Sequence, residues 1–410
     1  MTSLNESTLQ LLSLIRQYLE LKGRNDTAPD IASDADINEI FRLAAYNNCD
    51  TFVYHIMYKL AAEYGVDEAV LKKYKNRVLL TGIAQMRANA ELKEVIQDLN
   101  AANVKFIILK GVILSSIYPH PEYRRSTDAD IHVDDENAER AAAVILARGY
   151  VYIQNPAIKY ERTYRLNGVL TIELHTKLFE EFYEKNRAVI AEIGLDSPDY
   201  HREVKVLGVF VETLPHSQFL TYVICHHTKH FISNGINIRH LMDICVYVNE
   251  YAEHLDWEFI RYSLNKLGIW EFTVNLLFIC QHWLGMTDVS FLYGDVGEET
   301  ALLLLYDIAE RDAVSDGFLE RGSARDIIKD VYYHGGGKIG IMSNVAPGTK
   351  VLNGKYDYAK KYPVLLPVAW IHRAFSYLWR RLTRKKVITP SERAKLAADR
   401  IELLKRVGIL

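Results

Sequence analysis

Between Val104 and Val133 the chain changes its hydrophobic period, and that change limits what it can fold into. Val104–Leu109 is an apolar run of strand length, Lys110-Gly111 supplies a turn, and Val112–Tyr118 can form a short helix that Pro119 and Pro121 stop. A second strand then carries Asp128-Ala129-Asp130-Ile131-His132-Val133. Strand, turn, helix and strand in this order require a sheet with a helix packed on it. Asp128 and Asp130 are two residues apart, so on an extended strand both side chains leave the same face.

Two like charges held that close repel unless a cation sits between them. The pattern points to a divalent metal, and carboxylate oxygens suit Mg²⁺ or Mn²⁺ best. A third acid, Glu173, lies in Thr171-Ile172-Glu173-Leu174-His175, again inside a strand-like apolar frame. The competing reading is a solvated strand end, continued as an acidic surface by Asp134, Asp135 and Glu136.

Helical spacing dominates the flanks. Leu11, Leu12, Ile15, Tyr18 and Leu19 recur at helical intervals, as do Phe52, Ile56, Met57 and Leu60, and Asp36 followed by Glu39 reads as a helix-starting cap. The expected organisation is a helical region over 1–99, a mixed α+β core over 100–214, a helical domain over 215–314, and a last region over 315–410. In the core, 150–154, 160–166, 169–174 and 204–214 read as strands, with Asn167-Gly168 as a hairpin turn. The last region holds Gly335-Gly336-Gly337, the loop Ala346-Pro347-Gly348 and basic, amphipathic helices. A chain of 410 residues fits roughly two or three domains.

The net charge of −3 provides no overall basic field, which argues against a long nucleic-acid track. The four cysteines are far apart and form no CxxC pair, so they read as small buried hydrophobes in a reducing compartment. The first residues show no signal peptide, and no apolar run is long enough to span a membrane. A cytoplasmic protein is expected.

The ordered set Lys110-Gly111, Tyr118, Pro121, Arg124, Asp128, Asp130 and Glu173-Leu174-His175 resembles the uncharacterised bacterial nucleotidyltransferase family, part of the DNA polymerase β-like nucleotidyltransferase superfamily. The likeness extends downstream to an expected His-rich helix at 226–243 and covers most of 100–260. It implies an α+β fold: a polymerase β-like core, a mixed sheet with flanking helices, plus N-terminal and C-terminal helical regions. It also implies that Asp128, Asp130 and Glu173 are the catalytic and metal-binding residues of a two-metal transfer of NMP from an NTP such as ATP, with pyrophosphate released. Gly111 would let the backbone approach the triphosphate at a helix N-terminus. One departure is that Val112 follows Gly111 where the superfamily places Ser; Ser115 and Ser116 come a turn later, and Lys110 is the expected phosphate contact. Arg124 is a second candidate phosphate ligand, because a guanidinium matches phosphate oxygens. Ser115 and His175 complete the nucleotide-binding set, His175 as a wall of the site.

Three other motifs carry weaker chemical signals. His226, His227 and His230, with His240 and Asp243 downstream, form a cluster in which His226 and His230 have the i, i+4 spacing of a zinc pair. No HExxH glutamate accompanies them, packing against the catalytic domain is the preferred reading, and contact with nucleotide or acceptor is the alternative. Gly335–Gly340 lacks phosphate-loop spacing and reads as a surface loop. The run 370–386 mixes aromatics with Arg and Lys; it reads as a docking helix, with peripheral membrane or acceptor contact as the alternatives. The expected function is therefore metal-dependent nucleotidyl transfer to a hydroxyl on a small molecule, peptide or protein. The rival is a non-catalytic, antitoxin-like or nucleotide-binding module that keeps the fold.

Overall fold

Capping side chains set where the first helices begin. In the computed structural model Asn5 accepts a hydrogen bond from the Thr8 amide (2.7 Å) and opens α1 (Glu6–Glu20), and Asp36 accepts from the Glu39 amide (3.1 Å) and opens α2 (Ile37–Tyr46). α3 (Asp50–Leu60) and the long α4 (Glu68–Ala101) follow. Leu11, Ile15, Tyr18, Phe41 and Phe52 are fully buried among them. Fully burying a side chain of this size contributes about 1.5–3 kcal/mol. The structure describes residues 3–21, 36–60, 68–126, 128–154, 160–178, 186–195, 201–233, 235–294, 296–310, 328, 331–332, 356, 358–383 and 390–410. The chain divides into two compact units, residues 1–229 with 236–310 and residues 230–235 with 311–410.

The fold is mixed α+β and mostly helical. In the first unit β1 (Ile107–Leu109), α5 (Gly111–Ser115), β2 (Asp128–His132), α6 (Asp135–Ala147), β3 (Val151–Ile153), β4 (Glu161–Leu166) and β5 (Leu170–His175) build a five-stranded sheet of order β1-β2-β5-β4-β3. β2 and β5 run parallel; every other pairing is antiparallel. Period-2 alternation gives this sheet two unlike faces. Ala129, Ile131, Tyr164, Ile172 and Leu174 form the buried apolar one. Asp128, Asp130, Glu173, His175, Glu161 and Thr163 alternate with them on the other, because Asp130 lies opposite Glu173 and Thr163 opposite Glu173 from the far side. Arg148, at the end of α6, donates to Glu91 (2.8 Å) and Asp98 (2.7 Å) of α4 and ties these helices together.

The stretch 204–214 is not one strand. It is a hairpin of β6 (Arg202–Val206) and β7 (Val209–Thr213), turned by Leu207 (φ 53°) and Gly208 (φ 79°) in left-handed backbone. Two adjacent positive φ values give the tight turn that matches strand twist. The Thr213 hydroxyl donates to the Ile108 carbonyl (2.6 Å) and fastens the hairpin to β1. After α7 (Arg187–Glu192) and this hairpin come α8 (His216–Ser233), α9 (Ile238–Tyr251), α10 (Trp257–Lys266), α11 (Trp270–Leu284) and α12 (Glu298–Ala309). The His-rich stretch 226–243 is thus divided between two helices; Asn237 and His240 cap the second reciprocally.

In the second unit, α13 (Tyr358–Lys361), α14 (Leu366–Thr383) and α15 (Pro390–Arg406) are described. Tyr356, Ala359 and Ala369 form a small core there. The Arg400 guanidinium lies over the Phe231 ring (3.9 Å) and donates to the Phe231 carbonyl (2.7 Å). The loops at 335–340 and 346–348, and residues 384–386 of the basic run, lie outside the described residues. Among the described residues no helix is long and apolar enough to cross a membrane.

Candidate active site

The polar face of the sheet concentrates acid at the β2–β5 pairing. Asp130 and Glu173 are parallel register partners, and His175 follows two residues later on the same face. One ligand atom from each of Asp130, Glu173 and His175 lies within 4.8 Å of the others. His175 Nε2 is 3.2 Å from Asp130 Oδ1 and 3.8 Å from Glu173 Oε2, so the imidazole lies close to both carboxylates. Asp128 stands at the entrance of β2, opposite Thr171, and lies outside this triad. Its charge still acts on Lys110 and Glu173.

Lys110 ends β1 and reaches into the cluster. Its Nζ is 2.7 Å from Asp130 Oδ1 and 3.2–3.3 Å from the two ring nitrogens of His226 on α8. The lysine backbone is unusual, with φ 40° and ψ −104°, a region that L residues rarely adopt. Gly111 next to it is required by space: a Cβ there would come within 3.0 Å of Ser126 Oγ and 3.4 Å of the Asp128 carbonyl. Ser126 is itself held, its amide donating to Gln85 Oε1 of α4 (2.9 Å) and its hydroxyl to the Asp128 carbonyl (3.1 Å).

Arg124 lies beneath this loop. Nε and Nη2 donate to the two Asp243 oxygens at 2.7 and 2.8 Å, and Nη1 donates to the Gly111 carbonyl at 3.1 Å. Asp243, on α9, also accepts from the Tyr118 hydroxyl (2.7 Å) and Arg239 Nη1 (3.1 Å). Arg124 and Asp243 are 3% and 1% exposed, so the guanidinium anchors the Lys110-Gly111 turn from inside the protein. The Ser115 hydroxyl, also buried, donates to the Val112 carbonyl within α5 (3.0 Å). Of the residues singled out from sequence, the structure thus brings Lys110, Asp130, Glu173 and His175 into direct contact, with Asp128 adjoining. It directs Arg124 and Ser115 into the scaffold around Gly111.

Electrostatics separates the two paired acids. Burial disfavours the Asp130 charge, but the Lys110 ammonium and the His175 hydrogen bond outweigh it and hold that carboxyl below the usual range. Glu173 goes the other way: burial, then the charges of Asp130 and Glu161, push it up to about 8, and Lys110 only partly offsets them. Burial lowers Lys110, yet Asp130, Tyr222, Asp128 and Glu173 together raise it, so it stays charged. Near neutral pH the cluster therefore holds an ionised aspartate beside a glutamic acid that retains its proton. That is the state expected of two close carboxylates sharing too little positive charge. The donor set fits a divalent cation: two oxygens suit Mg²⁺ or Mn²⁺, and an imidazole nitrogen favours the more transition-like of the two.

His226 and Asp243 stood out in sequence as members of a histidine cluster, but not as the partners of Lys110 and Arg124. Both come from helices more than a hundred residues downstream of Lys110 and Arg124. No short motif links them to the sheet, and only their spatial meeting identifies them. The zinc reading of His226 gains no metal-competent group among the described residues, where the cluster is Asp130, Glu173 and His175.

A model of the family described as uncharacterised nucleotidyltransferase matches residues 33–285. No curated protein matches the chain. Among solved structures, an antigenic nucleotidyltransferase-like protein from Paracoccidioides brasiliensis aligns at 13% identity and TM-score 0.30, covering 51% of this chain and 96% of that one. A tRNA-processing enzyme aligns at 13% identity and TM-score 0.21, covering 79% and 96%. A CCA-adding enzyme in complex with CTP aligns at 12% identity and TM-score 0.19, covering 86% and 94%. Likeness this low carries no argument about substrate.

Proposed function

Because this chain belongs to the uncharacterised nucleotidyltransferase family, we propose that its β2–β5 carboxylate cluster moves a nucleoside monophosphate from an NTP to a hydroxyl-type acceptor. The observation that carries the reading is the meeting of Asp130, Glu173 and His175 beside the Lys110 ammonium at a strand–turn–helix junction. The same junction supports a polymerase β-like core. Asp130, Glu173 and His175 would hold a divalent cation, with Asp128 adjoining, and Mg²⁺ or Mn²⁺ is the class the donors suit. Such an ion, when bound, supplies Lewis-acid stabilisation of charge on phosphoryl oxygens.

The protein's own residues do the rest. Glu173, once it has given up its own proton, would take that of the acceptor hydroxyl as the hydroxyl oxygen forms a bond to the α-phosphorus. The bond between the α-phosphorus and the bridging oxygen breaks, and pyrophosphate leaves with the electron pair. Lys110 keeps a fixed positive charge where the phosphates of the nucleotide approach. Gly111 keeps the turn close against β2, and the Arg124–Asp243 pair holds that turn still. The acceptor supplies that hydroxyl and is not a long nucleic acid, for which a chain of net charge −3 offers no overall basic field.

Pyrophosphate release, measured with each NTP and Mg²⁺ or Mn²⁺, tests this. Asp130→Asn, alone and with Asp128→Asn, is expected to abolish it while the protein still folds. Full turnover in the double variant would overturn the assignment. One observation favours the rival, a binding module without transfer: Lys110 neutralises Asp130 with no cation required. Calorimetry separates the two, because an inert module shows no metal-dependent nucleotide binding.

A further inference from the structure

A cavity of about 1120 Å³ opens at the end of the sheet where β2 and β5 begin, with Ser126 and Thr171 in its wall. Its walls come from α2, α4, the Arg125-Ser126 segment and the β4–β5 hairpin. Arg42, Lys73, Arg77, Arg125 and Arg165 line it, and among the described residues the wall holds no carboxylate. Part of this charge is already used, since Arg42 pairs with Glu39 (2.6 Å) and Arg77 with Asp50. Arg125 and Arg165 are exposed and make no side-chain ion pair among the described residues. In a chain of net charge −3, five cations around one hollow are a strong local concentration, and low-dielectric walls focus their field.

The position of the cavity matters as much as its charge. Thr171 in its wall sits opposite Asp128 and two residues before Glu173 on the same strand face. Ser126 in its wall precedes Asp128 by two residues. The strand order β1-β2-β5-β4-β3 sets Lys110, at the end of β1, on one side of β2 and its two aspartates, and the β4–β5 hairpin on the other. Two reactants approaching one phosphorus from opposite sides need such an arrangement. Small-molecule pockets span roughly 300–1,000 Å³, so this one has room for a ligand with more than one charged group.

We propose that this cavity binds phosphate groups of the acceptor, so that the hydroxyl presented to Glu173 belongs to a phosphorylated molecule. The inference rests on the transferase reading and narrows it. Arg125 and Arg165 are the exposed contacts, and the shared ligand chemistry is a phosphate monoester or diester a few bonds from a hydroxyl. A sugar phosphate and the 3′ end of an oligoribonucleotide both present it. The hollow is local rather than a track, in a chain whose net charge is −3.

The test uses the full chain, a fluorescein-labelled short oligoribonucleotide followed by anisotropy at low salt, and calorimetry with ATP and Mn²⁺. The paired substitution Arg125→Glu and Arg165→Glu is expected to weaken the oligonucleotide by about tenfold or more, the scale of losing charge-assisted phosphate contacts, and to leave ATP binding unchanged. Both side chains are exposed, so folding is not at stake. Displacement of the label by ribose 5-phosphate but not by ribose assigns a sugar-phosphate acceptor; displacement by unlabelled oligonucleotide alone assigns a strand end. The proposal is overturned if the wild-type protein binds neither phosphate probe, if the paired variant binds as wild type, or if it loses ATP instead. Wild-type protein that binds the phosphate probe but no ATP in the presence of Mn²⁺ overturns the transferase reading separately, and the acceptor role with it.

Discussion

Replacing Asp243 with asparagine keeps its shape and removes its charge, and the structure allows the cost to be worked out. Asp243 is 1% exposed and accepts hydrogen bonds from Tyr118, Arg124 and Arg239. Arg124, at 3% exposure, makes no other ion pair among the described residues. The variant therefore leaves a buried guanidinium without its counter-charge, a change that typically costs about 3–5 kcal/mol. The pH behaviour gives an independent scale. Burial pushes the Asp243 carboxyl up, but Arg124 and Arg239 outweigh it and hold it down to about 2, against an ordinary 3.8. That shift corresponds to roughly 2 kcal/mol, less than the full loss because burial has already consumed part of the attraction. A lowered carboxyl stabilises the fold fully above its unfolded value and loses that contribution as pH falls through its folded value. The stability difference between wild type and Asp243→Asn should thus be constant from neutral pH to about 4 and shrink between 4 and about 2. Urea unfolding across that range measures it. A loss below about 1 kcal/mol at pH 7 would refute the argument that the pair is a buried anchor. Arg124→Met combined with Asp243→Leu, which removes both charges, should recover much of the loss.

Two further outcomes follow from the site. Glu173 is pushed up to about 8, so a cation bound there must displace its proton: Mn²⁺ affinity should climb as pH rises toward 8 and level off above it, while metal-free protein loses stability from about 4.5 to 8. Titration calorimetry in buffers of different ionisation enthalpy checks the proton release, which Glu173→Gln should remove. Gly111→Ala drives a Cβ to 3.0 Å from Ser126 Oγ and should cost about 1–3 kcal/mol; Ser126→Ala in the same chain should return part of it, and strictly additive melting shifts would argue against the contact.

Much of the sheet was legible in the residues because period-2 alternation is local. Asp128, Asp130 and Glu173 sit in apolar strands whose faces could be read directly, and Asn167-Gly168 marked the β4–β5 turn. The β6–β7 hairpin was hidden because its turn begins with Leu207, a residue that gives no sign of left-handed backbone, where an Asn-Gly pair would have shown it. The adjacency of β2 and β5 came only from the family resemblance, which implied that Glu173 joins the two aspartates, since pairing between strands separated by α6, β3 and β4 leaves no mark in either strand. The fate of Arg124 is the plainest case. Its chemistry suits a phosphate equally well, and only Asp243, arriving from α9, turns it toward the interior. Side chains with strong, general chemistry are the ones whose partners sequence reveals least.

The parallel pairing of β2 with β5 also governs when the cluster can exist. Asp130 and Glu173 are the two carboxylates of the cluster, and the chain between them must cross as α6, β3 and β4 before the strands can lie side by side. Pairing of this kind closes a long loop before any contact rewards it, so it comes late in folding. A half-made chain, including one still emerging from the ribosome before Leu170, has no place to concentrate a divalent ion. Metal uptake would then serve as a clock for completion, and an ion-dependent fluorescence or melting signal would time the last event of assembly rather than the first.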